Sequence, residues 1–525
     1  MDAVRRGLAR VHARIVDGST ALTCISHKAP ARLLPLHTPA AARRGAARCV
    51  LSSLGGGLLQ GDAIAVEARV GAGATLQLST QASTKVYRGA RGAAQSLDAD
   101  VDAGGLLVVT PDAVTPFAGS RYEQKQTVKL AAGGSCVVVD WLGAGRSANG
   151  ERWRSLACTS RTAYVTASRT LVDAVALPGA HAIDATDAWY DAVVSCVFAG
   201  PRAQETGEKA LAVARRLAAM RGARVADGAQ ADVGPLAGAV LMGAGRVDDD
   251  LVVARFCAEA PEDAYRILKE ALAPLEAALG EAPYAERLHG VGGFGRRARV
   301  PAEDAVADVA DASSTPMTPE HVLALSQLVD SALPTGAFAH SGGLEAAAQL
   351  NLLRADDEAS LVRFLGQLRA SHYSLYVPFF DAAYRGEDLG ALDAALDALL
   401  APAPPAQRAS LAQGAGLKRV SGALGGGVPE ACAHGAVALG ALARSLDLPL
   451  AAARDAFAFA AVRDACSAAV RLGLCQPTRA VAVQREVLAR PRPGVPAVED
   501  AAAAAPAVDA AHCAHDLLEM RLFRS

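Results

Sequence analysis

The sequence predicts two folds in series, a layered β unit followed by an all-α unit. Three observations carry this. The hydrophobic pattern changes character near residue 300. A stretch of linker composition, 299–318, sits at the change. A turn-then-strand unit recurs three times before it and never after it.

In the first part, Gly-rich turns separate short alternating or apolar runs. TLQLST (75–80), LLVVT (106–110), CVVVDW (136–141) and AYVTASRTLVDAVAL (163–177) read as strands. Three runs share a lead-in: GAGATLQL from Gly71, DAGGLLVV from Asp102 and AAGGSCVVV from Ala131. A repeat of roughly thirty residues predicts stacked strand layers. Helical spacing is confined to 203–221 and 262–279, the second with apolar residues at 264, 268, 271, 272, 275 and 279. Residues 299–318, RVPAEDAVADVADASSTPMT, hold two Pro, four acidic residues and a Ser-Ser-Thr cluster, which predicts a flexible linker.

Beyond it the pattern is helical. Val322, Leu325, Leu328 and Val329 form one face, with Pro334 expected to stop that helix. Further helices are expected at 356–384, 389–400, 406–421, 430–446, 450–472 and 508–523, with Pro429 and Pro449 at boundaries. The expected organisation is therefore a β domain at 1–298, a linker at 299–318 and an all-α domain at 319–525.

Composition excludes several classes. Of 525 residues, 51% are hydrophobic and 20% charged, which is globular rather than disordered. No apolar stretch is long enough to span a membrane. A net charge of −2 does not suit a dedicated nucleic-acid binder. The charge divides unevenly: 34 Lys and Arg against 29 Asp and Glu in 1–298, and 17 against 21 in 319–525. Ten scattered cysteines include no C-x-x-C, so reduced thiols in a cytoplasmic protein are expected and a structural zinc site is not. The N-terminus is Arg-rich without an apolar core, so no secretory leader is expected; a short organellar peptide stays open.

Chemistry-bearing motifs are few. There is no phosphate-binding G-x-x-x-x-G-K-[ST]. GVGGFG (290–295) fits G-x-G-x-x-G by letter, but RRARVPAED follows it, so a flexible domain exit is the better account. Ser83 and Lys85 would share one strand face, which permits a Ser–Lys hydrolase without supplying an oxyanion hole. His512, Cys513 and His515 have ligand types suited to a borderline metal such as nickel, with a helix surface as the simpler account. Asp62, Asp112 and Asp140 are placed at strand ends, where carboxylates either satisfy turns or pass a divalent cation loosely.

Four ordered segments carry a resemblance: GGGLLQGD (55–62), LSTQASTKVYRG (78–89), PDAVTPFAGSRYEQKQ (111–126) and VVVDWLGAGRSANGERW (137–153). With them the first half resembles the urease accessory protein UreD, also called UreH. The second half resembles UreF through LVDSALPTGAFAHSGGLEAA (328–347), QGAGLKRV (413–420), HGAVALG (434–440) and MRLFRS (520–525). One chain thus resembles a natural fusion of the two. The resemblance implies a β-helix-like first domain and an all-helical second. It implies a scaffold, not an enzyme, that recruits the GTPase UreG and delivers nickel into apo-urease. UreE or an equivalent would donate the metal, and a homodimer would form through the UreF-like domain. It implies Ni²⁺ in transit with no tightly bound cofactor, and neither nucleic acid nor membrane as partner.

Residue roles follow motif by motif. The resemblance implies that Pro334, Gly336, Phe338, His340, Ser341, Gly343, Leu344 and Glu345 meet a tail containing His515 and Arg521, forming the surface that recruits UreG. Phe338 stands where some relatives have Tyr, so its contact with the tail is expected to be packing or cation–π. Asp62 and Asp140 fall in matched motifs and are the candidates for an acidic nickel path. The rival readings are the Ser83/Lys85 hydrolase, a nickel-storage protein, and a fusion that binds partners without delivering metal.

Overall fold

The computed structural model describes residues 5–36, 45–177, 189–226, 238–288, 317–355 and 357–525. Contacts divide the chain into two compact units, 1–301 and 302–525. The expected linker lies outside the described residues up to 316, as does the GVGGFG segment.

The first unit is two sheets wound together. From the strand β4 (Ala46–Ser53) the chain crosses to the other sheet as β5 (Asp62–Val70), returns as β6 (Thr75–Thr80), passes a short β7 (Thr84–Val86), and crosses again as β8 (Ala93–Val101). It continues as β9 (Leu106–Thr110), a short β10 (Val114–Pro116), β11 (Arg121–Leu130), β12 (Ser135–Gly143) and β13 (Ala157–Val165). Strands β4, β6, β9 and β12 pair parallel in one sheet, and β5, β8, β11 and β13 in the other. Each pair of crossings is one layer, so the thirty-residue repeat is a β-helical rung. Antiparallel strands close the ends: β1 (Arg5–Val16) with β2 (Ser19–Lys28), β3 (Ala31–Leu36) on β4, and β14 (Thr170–Leu177) on β13. At the far end β15 (Ala192–Ala199), β16 (Val240–Asp248) and β17 (Leu251–Ala258) extend the sheet of β12. Helices α1 (Gln204–Ala226) and α2 (Pro261–Ala271) pack on these last strands.

The shared lead-ins are one stacked corner. Gly73, Gly104 and Gly133 occupy successive layers at φ +70, +70 and +78°, a conformation that costs an L side chain about 1–2 kcal/mol. The Gly104 amide donates to the Gly133 carbonyl at 2.9 Å and the Gly73 amide to that of Ala103 at 3.2 Å. Arg202 ties the stack from outside, donating to Gly104 O at 3.0 Å and Thr75 Oγ1 at 2.8 Å. Between the sheets lie Val66, Leu76, Leu97, Leu107, Val128 and Val138, all buried.

The second unit is helical. Its elements are α3 (Pro319–Leu328), α4 (Leu344–Gln349), α5 (Glu358–Ser371), α6 (Val377–Arg385), α7 (Leu389–Leu400), α8 (Pro404–Ser421), α9 (Gly435–Ser445), α10 (Leu450–Arg471), α11 (Pro477–Ala489) and α12 (Pro506–Ala514). Details differ from the sequence expectation. Helix α3 ends at Leu328, and the Asp330 side chain accepts from Ala332 N to form the turn, so Pro334 is not the stop. Its apolar face is only half used: Leu325 and Leu328 pack on Phe380, Ala443 and Leu448, while Val322 stays exposed. The 356–384 helix is two, joined through a wider π turn at His372–Tyr376. Helix α9 threads the middle, and a Cβ on Gly440 would lie 2.3 Å from Phe380 O, so only glycine lets α6 come this close.

Candidate functional site

In the helical unit the site is built around one carboxylate. Glu345 lies in the first turn of α4 and is 1% exposed. Its Oε1 accepts from Leu522 N at 2.6 Å and Gln349 Nε2 at 3.3 Å. Its Oε2 accepts from Phe523 N and His515 Nε2, both at 3.1 Å. Four donors saturate the lone pairs of the carboxylate, the condition under which a charged group is tolerated in an interior. Two of them are backbone amides of the 518–525 tail, so Glu345 is what holds that tail.

The neighbouring loop adds further bonds. The Ser341 amide and hydroxyl donate to Ser525 O at 2.6 and 3.1 Å, and His340 Nδ1 meets Ser525 Oγ. Arg524 N donates to Ala339 O at 2.8 Å, and Gln349 Nε2 to Met520 O at 2.9 Å. The loop is seated by glycines. A Cβ on Gly416 of α8 would lie 2.3 Å from Thr335 O, which gives the QGAGLKRV motif its physical reason. Gly343, at φ +86°, would bring a Cβ within 3.0 Å of His512 N on α12.

The structure thus brings together His340, Ser341, Gly343, Leu344, Glu345 and His515. Pro334 and Gly336 belong to the turn that leads in. Phe338 and Arg521 do not meet. Arg521 reaches Asp516 Oδ1 at 3.2 Å, where Arg408 also binds. Phe338 instead lies under Arg471, whose guanidinium carbon is 3.6 Å from its ring centroid. The same guanidinium is 4.2 Å from the Phe523 ring. The expected cation–π contact exists, but its cation comes from the end of α10, a position no motif marked. The His512–Cys513–His515 metal reading fails: His515 is taken by Glu345, and Cys513 Sγ faces Pro402 O. Among the described residues no group of three His, Cys, Asp or Glu side chains could hold a metal ion.

Electrostatics follow burial. Burial, then Arg524 and His515, pushes His340 down to about 4. Burial pushes His512 down to about 3 and His372 to about 4. Burial would raise Asp516, but the nearby His515 and its bonds from Arg408 outweigh this and take it to about 2.

In the β unit the acidic candidates separate. Asp62 opens β5, and its Oδ2 accepts from Leu59 N at 2.9 Å, closing the GGGLLQGD turn. Asp112 is bound by Tyr265 Oη at 2.8 Å and Arg287 Nη2 at 2.6 Å. Asp140 is not at a strand end as expected; it lies inside β12 and faces the other sheet. There Gln124 Nε2 donates to it at 3.0 Å and Ser160 Oγ also bonds it. Burial pushes it up to about 6. It borders a small cavity, about 20 Å³ and so roughly one water in size, with Ser160, Ser195 and Asp173 on the walls. Asp173 is held by Ser195 and, from β17, by Arg255. Asp173 was not anticipated. Its signal was a lone carboxylate in the apolar run TLVDAVAL. Ser83 and Lys85 form no mutual hydrogen bond among the described residues, and Lys85 is exposed.

Comparison with known proteins matches both units. The UreD urease accessory protein family matches residues 5–289, and the UreF family residues 355–488. The UreD of Sorangium cellulosum is 46% identical over 200 residues, 38% of this chain and 62% of that protein. The UreD of Anaeromyxobacter sp. is 38% identical over 288 residues, 54% of this chain and 90% of that protein. The UreF of Paenarthrobacter aurescens is 38% identical over 168 residues, 30% of this chain and 74% of that protein.

Proposed function

The chain belongs to the UreD family through residues 5–289 and to the UreF family through residues 355–488, and from this premise we propose a one-chain scaffold for nickel delivery to urease. UreD and UreF are urease accessory proteins, not catalysts, so the chain has a role in urease maturation. On our reading, a UreG-type GTPase docks on the surface formed by the 334–345 loop and the 518–525 tail. Nickel then passes as cargo through the β unit toward apo-urease, with Asp140 and Asp62 as carboxylates along the way. Both groups are already hydrogen-bonded, which suits passing contact rather than retention.

The observation that carries this reading is the four-donor seat of Glu345. It spends a buried charge on holding the tail in one place, which a surface for recognition needs and a passive terminus does not. UreE or an equivalent would load the system, two copies would pair through the UreF part, and the cytoplasm would be the compartment. Among the described residues no helix is long and apolar enough to cross a membrane. Carrying both parts in one chain would keep them at an effective concentration of order millimolar.

The test is urease activation in a host lacking its own UreD and UreF, supplied with this chain, UreG and UreE. Nickel-dependent activity that disappears when residues 518–525 are deleted supports the proposal. Soluble chain that activates nothing in the presence of nickel and both partners overturns it.

A further inference from the structure

Arg471 is the last residue of α10, and its guanidinium is flanked by two aromatic rings. Phe338, on the loop, is 3.6 Å away and 53% exposed; Phe523, on the tail, is 4.2 Å away and 4% exposed. The polar partners of this cation are meagre. Arg471 Nε reaches Ser467 O at 3.4 Å, one turn back on its own helix, while Nη2 is buried with no hydrogen-bond partner. Among the described residues no carboxylate lies within salt-bridge reach of it. This partly buried guanidinium is attracted through space by the Asp464 carboxylate and lies against two ring faces.

The rings belong to segments 185 positions apart in sequence, and each is tied by backbone to the other side. Phe523 N bonds Glu345 in the first turn of α4, just after the loop, and Arg524 N bonds Ala339 O, next to Phe338. Glu345 fixes the tail backbone. Nothing in that bond fixes the face that the Phe338 ring presents to solvent.

We propose that Arg471 is a positioning residue that clasps the tail to the loop by stacking on Phe338 and Phe523 at once, so setting the surface on which the GTPase docks. The docking half of this rests on the function proposed above; the clasp itself does not. The planar, delocalised guanidinium suits this better than an ammonium, because it stacks on aromatic faces.

The experiment is amide hydrogen exchange on the full chain for wild type, Arg471→Met, Arg471→Lys, Phe338→Leu and Phe338→Tyr, with binding of purified UreG and GTP measured on the same samples. Arg471→Met keeps the apolar stem and removes the cation. It should speed exchange at Leu522 and Phe523 on the order of ten-fold, with α6 and α9 amides unchanged. Phe338→Tyr keeps a ring face and should retain wild-type protection, whereas Phe338→Leu should not. Arg471→Lys should fall between wild type and Arg471→Met. UreG binding should weaken in step with tail exposure. Unchanged exchange in Arg471→Met overturns the clasp. Faster exchange with undiminished UreG binding overturns its link to docking. If wild type binds no UreG while the exchange pattern is as expected, the function proposed above falls and the clasp stands.

Discussion

Glu345 and His515 meet at 3.1 Å in the interior of the helical unit, 1% and 0% exposed, across 170 positions of sequence. The same carboxylate takes the amides of Leu522 and Phe523. The contact therefore joins the loop after α3, the turn after α12 and the tail into one piece.

Replacing Glu345 with Ala should be among the most damaging single changes in this unit. It leaves the buried Phe523 amide, the partly buried Leu522 amide and a buried imidazole without their acceptor, a loss of about 3 kcal/mol. Denaturant unfolding followed by a probe in the helical unit measures it. A loss below about 1 kcal/mol would show that the tail finds water instead.

Arg521 presents the opposite case. Its pair with Asp516 is half exposed, and such pairs contribute little. Arg521→Ala should leave the unfolding midpoint of the helical unit unchanged within error while reducing urease activation in the reconstituted host. Equal loss of both would make Arg521 a structural residue.

The helical unit should weaken on mild acidification. His340 and His372 are held near 4 and His512 near 3, below the 6.5 of an unfolded histidine. Between those values the unfolded chain binds more protons, so stability is full above about pH 6.5 and falls as pH drops toward 4. Urea midpoints across pH 4.5–7.5 should fall with pH, and His512→Gln should flatten the lower part of the slope.

Asp140 works in the other direction. Burial raises it to about 6, so its contribution is present below the unfolded value near 3.8 and is lost as pH rises through 6. Asp140→Asn should raise the thermal midpoint of the β unit at pH 8, where the native carboxylate is charged. The same substitution should lower nickel-dependent urease activation. A lower midpoint at pH 8 would mean that the bonds from Gln124 and Ser160 outweigh the cost of the buried charge.

Gly104→Ala tests the stacked corner. At φ +70° the change should cost about 1–2 kcal/mol, read as a lower unfolding midpoint of the β unit. Gly150→Ala, also at positive φ but in an irregular loop outside the stack, is the comparison.

Much of this was legible in the residues. The lead-ins at Gly71, Asp102 and Ala131 announced the layers because a β-helical rung repeats its turn chemistry at fixed spacing. The helical unit declared itself through periodicity, and the loop and tail segments through motif. Such features are local, or recur at a fixed interval, so a one-dimensional pattern records them. The partners of individual side chains are different. Nothing near Arg471 in sequence marks it for Phe338 and Phe523, and nothing in TLVDAVAL says that Asp173 faces Asp140 across a cavity. Arg521, the cation that the tail motif singled out, turned to Asp516 instead. By itself the sequence determined the two fold types, their order and the family of each. Which cation stacks on which ring, and which carboxylate holds the tail, was decided only when segments more than a hundred residues apart packed together. Those choices depend on distance and burial, and neither exists until the chain has closed.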